Sequence, residues 1–183
     1  VYKRQLMIWL TIFALCTSHV TGDTPDPAIL LSAMTLDEKI SMLHGHEGET
    51  DYVGFVPGNE RLQIPPLNMN DGPQGFRTQT DGMEGTTTQF PSALAIASTF
   101  DVELAASWAR AMGREFAGKG SNVQLGPGLN VARIPVNGRN FEYLSGEDPY
   151  LGAILAGPVV AGIQTEGVIA NAKHYINNNQ EYD

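Results

Sequence analysis

Apolar residues in this chain fall into short clusters separated by polar stretches rich in Gly and Pro, and their spacing alternates between helical and extended. Residues 28–43 carry the first helical pattern. Thr35-Leu36-Asp37-Glu38 has the form of a capping box, with Ile40 and Leu43 continuing the apolar face from Leu36 and Gly45 ending it. Residues 44–62 read as a polar, Gly-rich loop. Residues 67–70 form a short extended run after Pro65-Pro66 and end at the turn signal Asp71-Gly72-Pro73. Another polar loop is expected over 78–88.

A second helix is predicted from Asp101, as N-cap, to Phe116, with Leu104, Trp108, Ala111 and Met112 as its apolar stripe and Gly118 and Gly120 closing it. Residues 122–126 read as a strand with Val123 and Leu125 on one face. A third helix starts at Asp148-Pro149 with Leu151, Ile154, Leu155 and Ile163 as core positions, and Pro158 should kink or split it. Residues 168–172 form another strand, ending at Lys173-His174. Alternating apolar strands and helices argue for parallel pairing in an α/β fold. The polar residues Asp71 and Lys173-His174 fall immediately after strands, where barrel enzymes carry their chemistry. Only about three strands are legible, whereas a complete eight-stranded barrel takes about 250 residues.

The N-terminal pattern has a different meaning. Residues 6–15 are apolar except for Thr11, a run too short for a bilayer core that needs about 20 residues. The run suits a secretory signal, and Val20-Thr21-Gly22 supplies small residues before a cleavage expected ahead of Asp23. Residues 1–22 are therefore expected to be a signal peptide and the protein to be secreted, or periplasmic in a bacterium. Residues 1–5 can be encoded by GTG TAT AAG AGA CAG, a transposon end sequence, and are expected not to be native. Removing residues 1–22 takes Lys3, Arg4 and Cys16 but no acid, which leaves the remainder free of cysteine and of any reliance on disulfides. The whole chain has 183 residues and a formal net charge of −9. So acidic a chain repels phosphate backbones and anionic lipid, which argues against nucleic acid as a partner and against stable membrane association.

Four clusters mix rigid turn residues with charged donors and acceptors. They are Asp71-Gly72-Pro73-Gln74-Gly75-Phe76-Arg77, Gly138-Arg139-Asn140-Phe141-Glu142, Ser145-Gly146-Glu147-Asp148-Pro149-Tyr150, and Lys173-His174-Tyr175 with Asn177-Asn178-Asn179-Gln180-Glu181. A sugar presents adjacent hydroxyls that both donate and accept, so its site needs a carboxylate beside Arg, Lys and His. Other signals carry less. Gly126-Pro127-Gly128 lacks the Gly-Lys-Ser/Thr of a phosphate loop, and His44-Gly45-His46 is expected to be an incidental pair rather than a metal site.

In order and spacing these clusters resemble the N-terminal domain of glycoside hydrolase family 3, the group containing secreted β-glucosidases. The resemblance runs from Met34-Thr35-Leu36-Asp37-Glu38-Lys39 through Asp71-Gly72-Pro73 and Gly138-Arg139-Asn140-Phe141-Glu142 to Lys173-His174 and Asn179-Gln180-Glu181. It implies a TIM-like (β/α)8 barrel, of which residues 23–183 would hold a truncated N-terminal part. It further implies that Asp71, Arg139, Lys173 and His174 contact the hydroxyls of a terminal glucose. Arg77 would orient or neutralise Asp71, and Glu142 would support Arg139 from behind. The substrates implied are β-glucosides or oligosaccharides, with no metal and no organic cofactor. Tyr175-Ile176-Asn177-Asn178-Asn179-Gln180-Glu181 is similar to the β-glucosidase version of the motif rather than to the Lys-His-Phe-Pro-Gly of N-acetylglucosaminidases. Gly146 departs from the commoner Ser-Glu-Asp-Pro-Tyr pattern without touching any residue assigned.

Retaining glycosidases use two carboxylates about 5–5.5 Å apart. In this family the nucleophile is the Asp of a Ser-Asp-Trp motif on a later strand, and the acid/base is a Glu from a following domain. No Ser-Asp-Trp occurs in these residues, so no catalytic residue is assigned within them. The chain by itself is expected to be inactive and poorly soluble, with strand edges and core faces exposed. Rival expectations are a β-xylosidase or exo-β-glucanase of the same family, or a non-catalytic sugar-binding homologue.

Overall fold

A computed structural model describes residues 25–46, 50–78 and 84–180, so the expected signal peptide and Glu181 lie outside the described residues. Of the described residues, those from 25 to Lys39 and those from Ile40 onward belong to two units. In the first, α1 (Pro27–Ala33) is capped by Asp26, whose carboxylate accepts the Ala28 N–H at 2.9 Å. Met34 is extended, and α2 (Leu36–Ser41) then begins at the capping box. Thr35 Oγ1 accepts from Glu38 N at 3.2 Å, while the Glu38 carboxylate accepts from Thr35 N at 2.8 Å. The single helix expected over 28–43 is thus two helices. The reason is physical: a capping box satisfies the orphan N–H groups of a helix start, so a helix cannot run through it.

The second unit is built on a four-stranded sheet in the order β1-β2-β3-β4. Its strands are β1 (Gly54–Val56), β2 (Leu67–Asp71), β3 (Val123–Leu125) and β4 (Ile169–Ala170). The pairs β2–β3 and β3–β4 are parallel, as the alternation of strands and helices required. Strand β1 pairs antiparallel with β2 and lies inside the stretch read as loop. Three residues headed by Gly54 are too few to show a period of two, which hid the strand. The fold is α/β, with a parallel run of strands carrying helices as in one side of a barrel.

Two long helices pack against the sheet, α4 (Val102–Gly118) and α5 (Pro149–Gln164), and the short α3 (Ala93–Ala97) packs on both of them. The N-caps Asp101 and Asp148 accept from Leu104 N and Tyr150 N, each at 2.9 Å. Helix α3, unread in the sequence, starts at Ser92, whose hydroxyl accepts from Ala95 N. The buried face of α4 is Ala105, Trp108, Ala109, Met112, Gly113 and Phe116. Trp108 and Met112 were expected there, but Leu104 is 42% exposed and Ala111 also faces out. On α5, Leu155 and Ile163 are buried as expected, Leu151 packs on the core, and Ile154 is 40% exposed.

Small residues explain the shift of the stripe. A Cβ on Gly162 would lie 2.7 Å from the Ala106 carbonyl oxygen, and one on Gly113 3.0 Å from the Ile163 oxygen. The two helices therefore approach backbone to backbone along an Ala/Gly face, and the larger apolar residues are displaced to either side. Pro158 does not split α5, which is continuous. The residue before it is Gly157, which has no Cβ to clash with the proline ring. The carbonyl four residues earlier belongs to Ile154, a residue that is 40% exposed.

Candidate functional site

The end of β2 is tied into a turn that aims Asp71. Asp71 N donates to Asn70 Oδ1 at 2.8 Å, Arg77 N donates to Asp71 O at 3.0 Å, and Asn70 Nδ2 donates to Arg77 O at 3.0 Å. Gly72 N donates to Gly75 O at 2.9 Å inside that loop. Buried Gln124, in the middle of β3, donates from Nε2 to Gly72 O at 3.2 Å. The turn is thus fixed by its own backbone and by the neighbouring strand. Arg77 Nη1 meets Asp71 Oδ2 at 3.2 Å, with side-chain exposures of 65% and 29%. An ion pair this exposed contributes little stability, about 0–1 kcal/mol, so its consequence is the aim of the carboxylate.

The second group is assembled from two distant segments. Beyond β3 the chain continues through Gly128, which bridges in parallel register to both Tyr143 and Lys173. Leu144 N donates to Gly128 O at 3.0 Å, Lys173 N to Pro127 O at 2.9 Å, and Leu129 N to Lys173 O at 2.8 Å. This brings the 139–143 segment and the Lys173-His174 pair to either side of one strand. A short 3-10 helix, Asn140–Glu142, then folds Glu142 back onto Arg139. Arg139 Nε donates to Glu142 Oε1, and the carboxylate side chain is only 9% exposed. A buried carboxylate needs such a partner, and the pair fixes the guanidinium plane.

The other end of that guanidinium reaches His174: Arg139 Nη2 lies 3.0 Å from His174 Nε2. His174 N donates to the buried Asn130 Oδ1 at 2.7 Å. On its far side His174 meets Tyr143, ring edge to face at a centroid distance of 6.0 Å, with Tyr143 Oη 3.5 Å from Nδ1. Lys173 and His174 line an open cavity of about 570 Å3 with Asn130, Arg133, Glu147 and Asn179. That volume is within the roughly 300–1,000 Å3 of small-molecule sites, and its rim is dense in hydrogen-bonding groups.

The structure therefore arranges the sequence-predicted residues as two sets. Asp71 and Arg77 are paired after β2, and Arg139, Glu142 and His174 are joined around Gly128 with Lys173 beside them. Asn70, Gln124, Asn130 and Tyr143 were missed. One signal was available for Gln124: a lone amide between Val123 and Leu125 in a strand buried on both faces must hydrogen-bond something specific. Asn130 and Tyr143 act across long sequence separations and left no local trace. Among the described residues no group of three or more His, Cys, Asp or Glu side chains is placed to hold a metal ion. Among them no helix is long and apolar enough to cross a membrane.

Known proteins similar to this chain in sequence and fold carry the name β-glucosidase. The chain is 42% identical over 159 residues to the β-glucosidase BoGH3A of Bacteroides ovatus, and 41% identical over 160 residues to the thermostable β-glucosidase B of Acetivibrio thermocellus. It spans about a fifth of the length of each, 20% in both cases, while 82% and 84% of this chain are matched. Among solved structures it is similar to DesR, a β-glucosidase from Streptomyces venezuelae in complex with D-glucose. The TM-score is 0.78 and the identity 41%, covering 86% of this chain and 20% of that one. It is also similar to β-glucosidase 3B of Thermotoga neapolitana in complex with α-D-glucose, with a TM-score of 0.76 and 37% identity over 84% of this chain and 23% of that one. Residues 35–181 match the glycosyl hydrolase family 3 N terminal domain, and the chain belongs to that family of enzymes.

Proposed function

We propose that this chain is the sugar-binding, N-terminal barrel portion (residues 23–183) of a secreted, retaining β-glucosidase that removes terminal non-reducing β-D-glucosyl units. The observation that carries the reading is the Glu142–Arg139–His174 chain beside Lys173, assembled where parallel strands end. The glucose-bound relatives support the choice of sugar.

The residues divide the work by charge. Asp71 is an acceptor of hydrogen bonds from adjacent hydroxyls, while Arg77 holds its orientation. Arg139 and Lys173 are donors to neighbouring hydroxyl oxygens, and His174 lies against both segments. Charge-assisted bonds to hydroxyls reject ligands that lack them, because the site's polar groups would be left unpaired. Double displacement then needs a nucleophile and an acid/base carboxylate about 5–5.5 Å apart. Neither is assigned to residues 1–183, so Glu142, stacked behind Arg139, keeps its structural place. Secretion follows from the apolar run over residues 6–15 and the small residues before Asp23.

The test is expression of the protein with its downstream coding sequence and assay on aryl β-glucoside and aryl β-xyloside. The expected result is hydrolysis of the glucoside with retention at the anomeric carbon, and no hydrolysis by residues 1–183 alone. Preference for the xyloside would replace the substrate, and an inactive full-length protein that still binds glucose would replace the enzyme by a binding module.

A further inference from the structure

His174 is held by Asn130, Arg139 and Tyr143, and two of these, Asn130 and Tyr143, have no part in the sugar-binding reading. Its backbone N–H is held by Asn130 Oδ1 at 2.7 Å. Its Nε2 faces Arg139 Nη2 at 3.0 Å. A guanidinium only donates, so Nε2 must be the acceptor and must carry no proton. In a neutral imidazole the proton is then on Nδ1. That nitrogen faces Tyr143 Oη at 3.5 Å, and the same hydroxyl lies 3.5 Å from the Asn178 carbonyl oxygen. A carbonyl only accepts, so the hydroxyl spends its proton there and offers a lone pair to Nδ1–H. These three links then run in one direction, from Arg139 through His174 and Tyr143 to the Asn178 carbonyl.

Tyr143 is suited to hold that direction. It is 0% exposed, its ring stands edge to face on the imidazole, and its backbone is bridged to Gly128. The hydroxyl also links the 174–178 segment to the strand system carrying Arg139. We propose that Tyr143 is a positioning residue for the Arg139–His174 pair, holding His174 in the tautomer protonated on Nδ1. This deepens the β-glucosidase proposal and rests on it for the role of the pair in binding sugar.

The test is Tyr143→Phe in the full-length protein, which keeps the ring and removes the hydroxyl. Nitrogen-15 spectra of histidine-labelled protein report the tautomer directly, with His174→Gln used to assign the signal. The expected result is loss of the pure Nδ1–H signature, a rise in KM for aryl β-glucoside of about 5–10-fold, kcat within twofold, and an unchanged thermal midpoint. An unchanged His174 signal overturns the proposal, whatever KM does, because the effect would then be packing alone. A changed signal in a protein whose wild type neither hydrolyses glucosides nor binds glucose would remove the β-glucosidase reading while leaving Tyr143 as the residue that sets His174.

Discussion

Gly128 is the position where a single methyl group tests the whole arrangement. A Cβ there would lie 2.6 Å from the Glu142 carbonyl oxygen and 2.9 Å from Tyr143 Cδ1, far inside the 3.4 Å at which ordinary contact begins. The nearer obstacle is backbone, held by the Gly128–Tyr143 bridge and the Leu144 N to Gly128 O bond, so it cannot swing away as a side-chain tip would. Overpacking of this kind costs about 3 kcal/mol, and the reduced freedom of the unfolded chain returns about 1 kcal/mol, leaving about 2 kcal/mol. For a domain of this size each kcal/mol moves the midpoint by about 2–4 °C, so Gly128→Ala should lower it by about 4–8 °C. The strand can relieve the clash only by moving the 142–143 segment away from Lys173, and that parts Arg139 from His174. Glucose affinity should therefore fall by at least tenfold in calorimetric titration at a temperature where the variant is folded. A midpoint within 1 °C of wild type, or full affinity in the folded variant, would refute the reasoning that Gly128 sets the spacing of the two halves.

Four other substitutions in the full-length protein separate binding from stability. Asp71→Asn keeps the shape but weakens charge-assisted bonds worth about 1.5–3 kcal/mol each, so glucose affinity should fall by 100-fold or more with little change in midpoint. Arg77→Ala removes an exposed pair, so the midpoint should stay within about 1 °C and affinity should drop only a few-fold; a collapse of stability would contradict the geometry. Glu142→Gln removes the charge that faces Arg139 Nε, and titration should show about tenfold weaker glucose binding together with a lower midpoint. Gly162→Ala places its methyl 2.7 Å from the Ala106 carbonyl oxygen, and thermal unfolding should show a loss of about 1–3 kcal/mol with glucose affinity retained in the folded fraction.

How much of this could be read beforehand depended on how local each feature is. The caps at Thr35, Asp101 and Asp148 were legible because a cap is a contact between residues two or three apart. The parallel pairing of β2, β3 and β4 followed from alternation of strands and helices. The antiparallel β1 did not, since three residues with a glycine give no pattern. The apolar stripe of α4 was misplaced because hydrophobicity favours Leu104, while the packing is decided by Ala105, Ala109 and Gly113, which let α5 come close. In the site, Arg77 beside Asp71 and Glu142 beside Arg139 are short-range partners and their residue types announced them. Asn130 and Tyr143 reach His174 across 44 and 31 positions, a relation that only the register of the strands creates.

That division bears on how such a site tolerates change. The two ion pairs are each made within one turn of chain, Asp71 with Arg77 across six positions and Arg139 with Glu142 across three, so each forms with its own turn. Their placement relative to Lys173 and His174 is a different matter, because it passes through the backbone bonds of residues 127–129 to both neighbouring segments. Substitutions within a pair should therefore change the affinity of one contact. Substitutions at Gly128, Asn130 or Tyr143 should change several contacts together, although none of these three carries a charge. The uncharged residues between the motifs thus set the geometry of the site, while the charged motifs supply its chemistry.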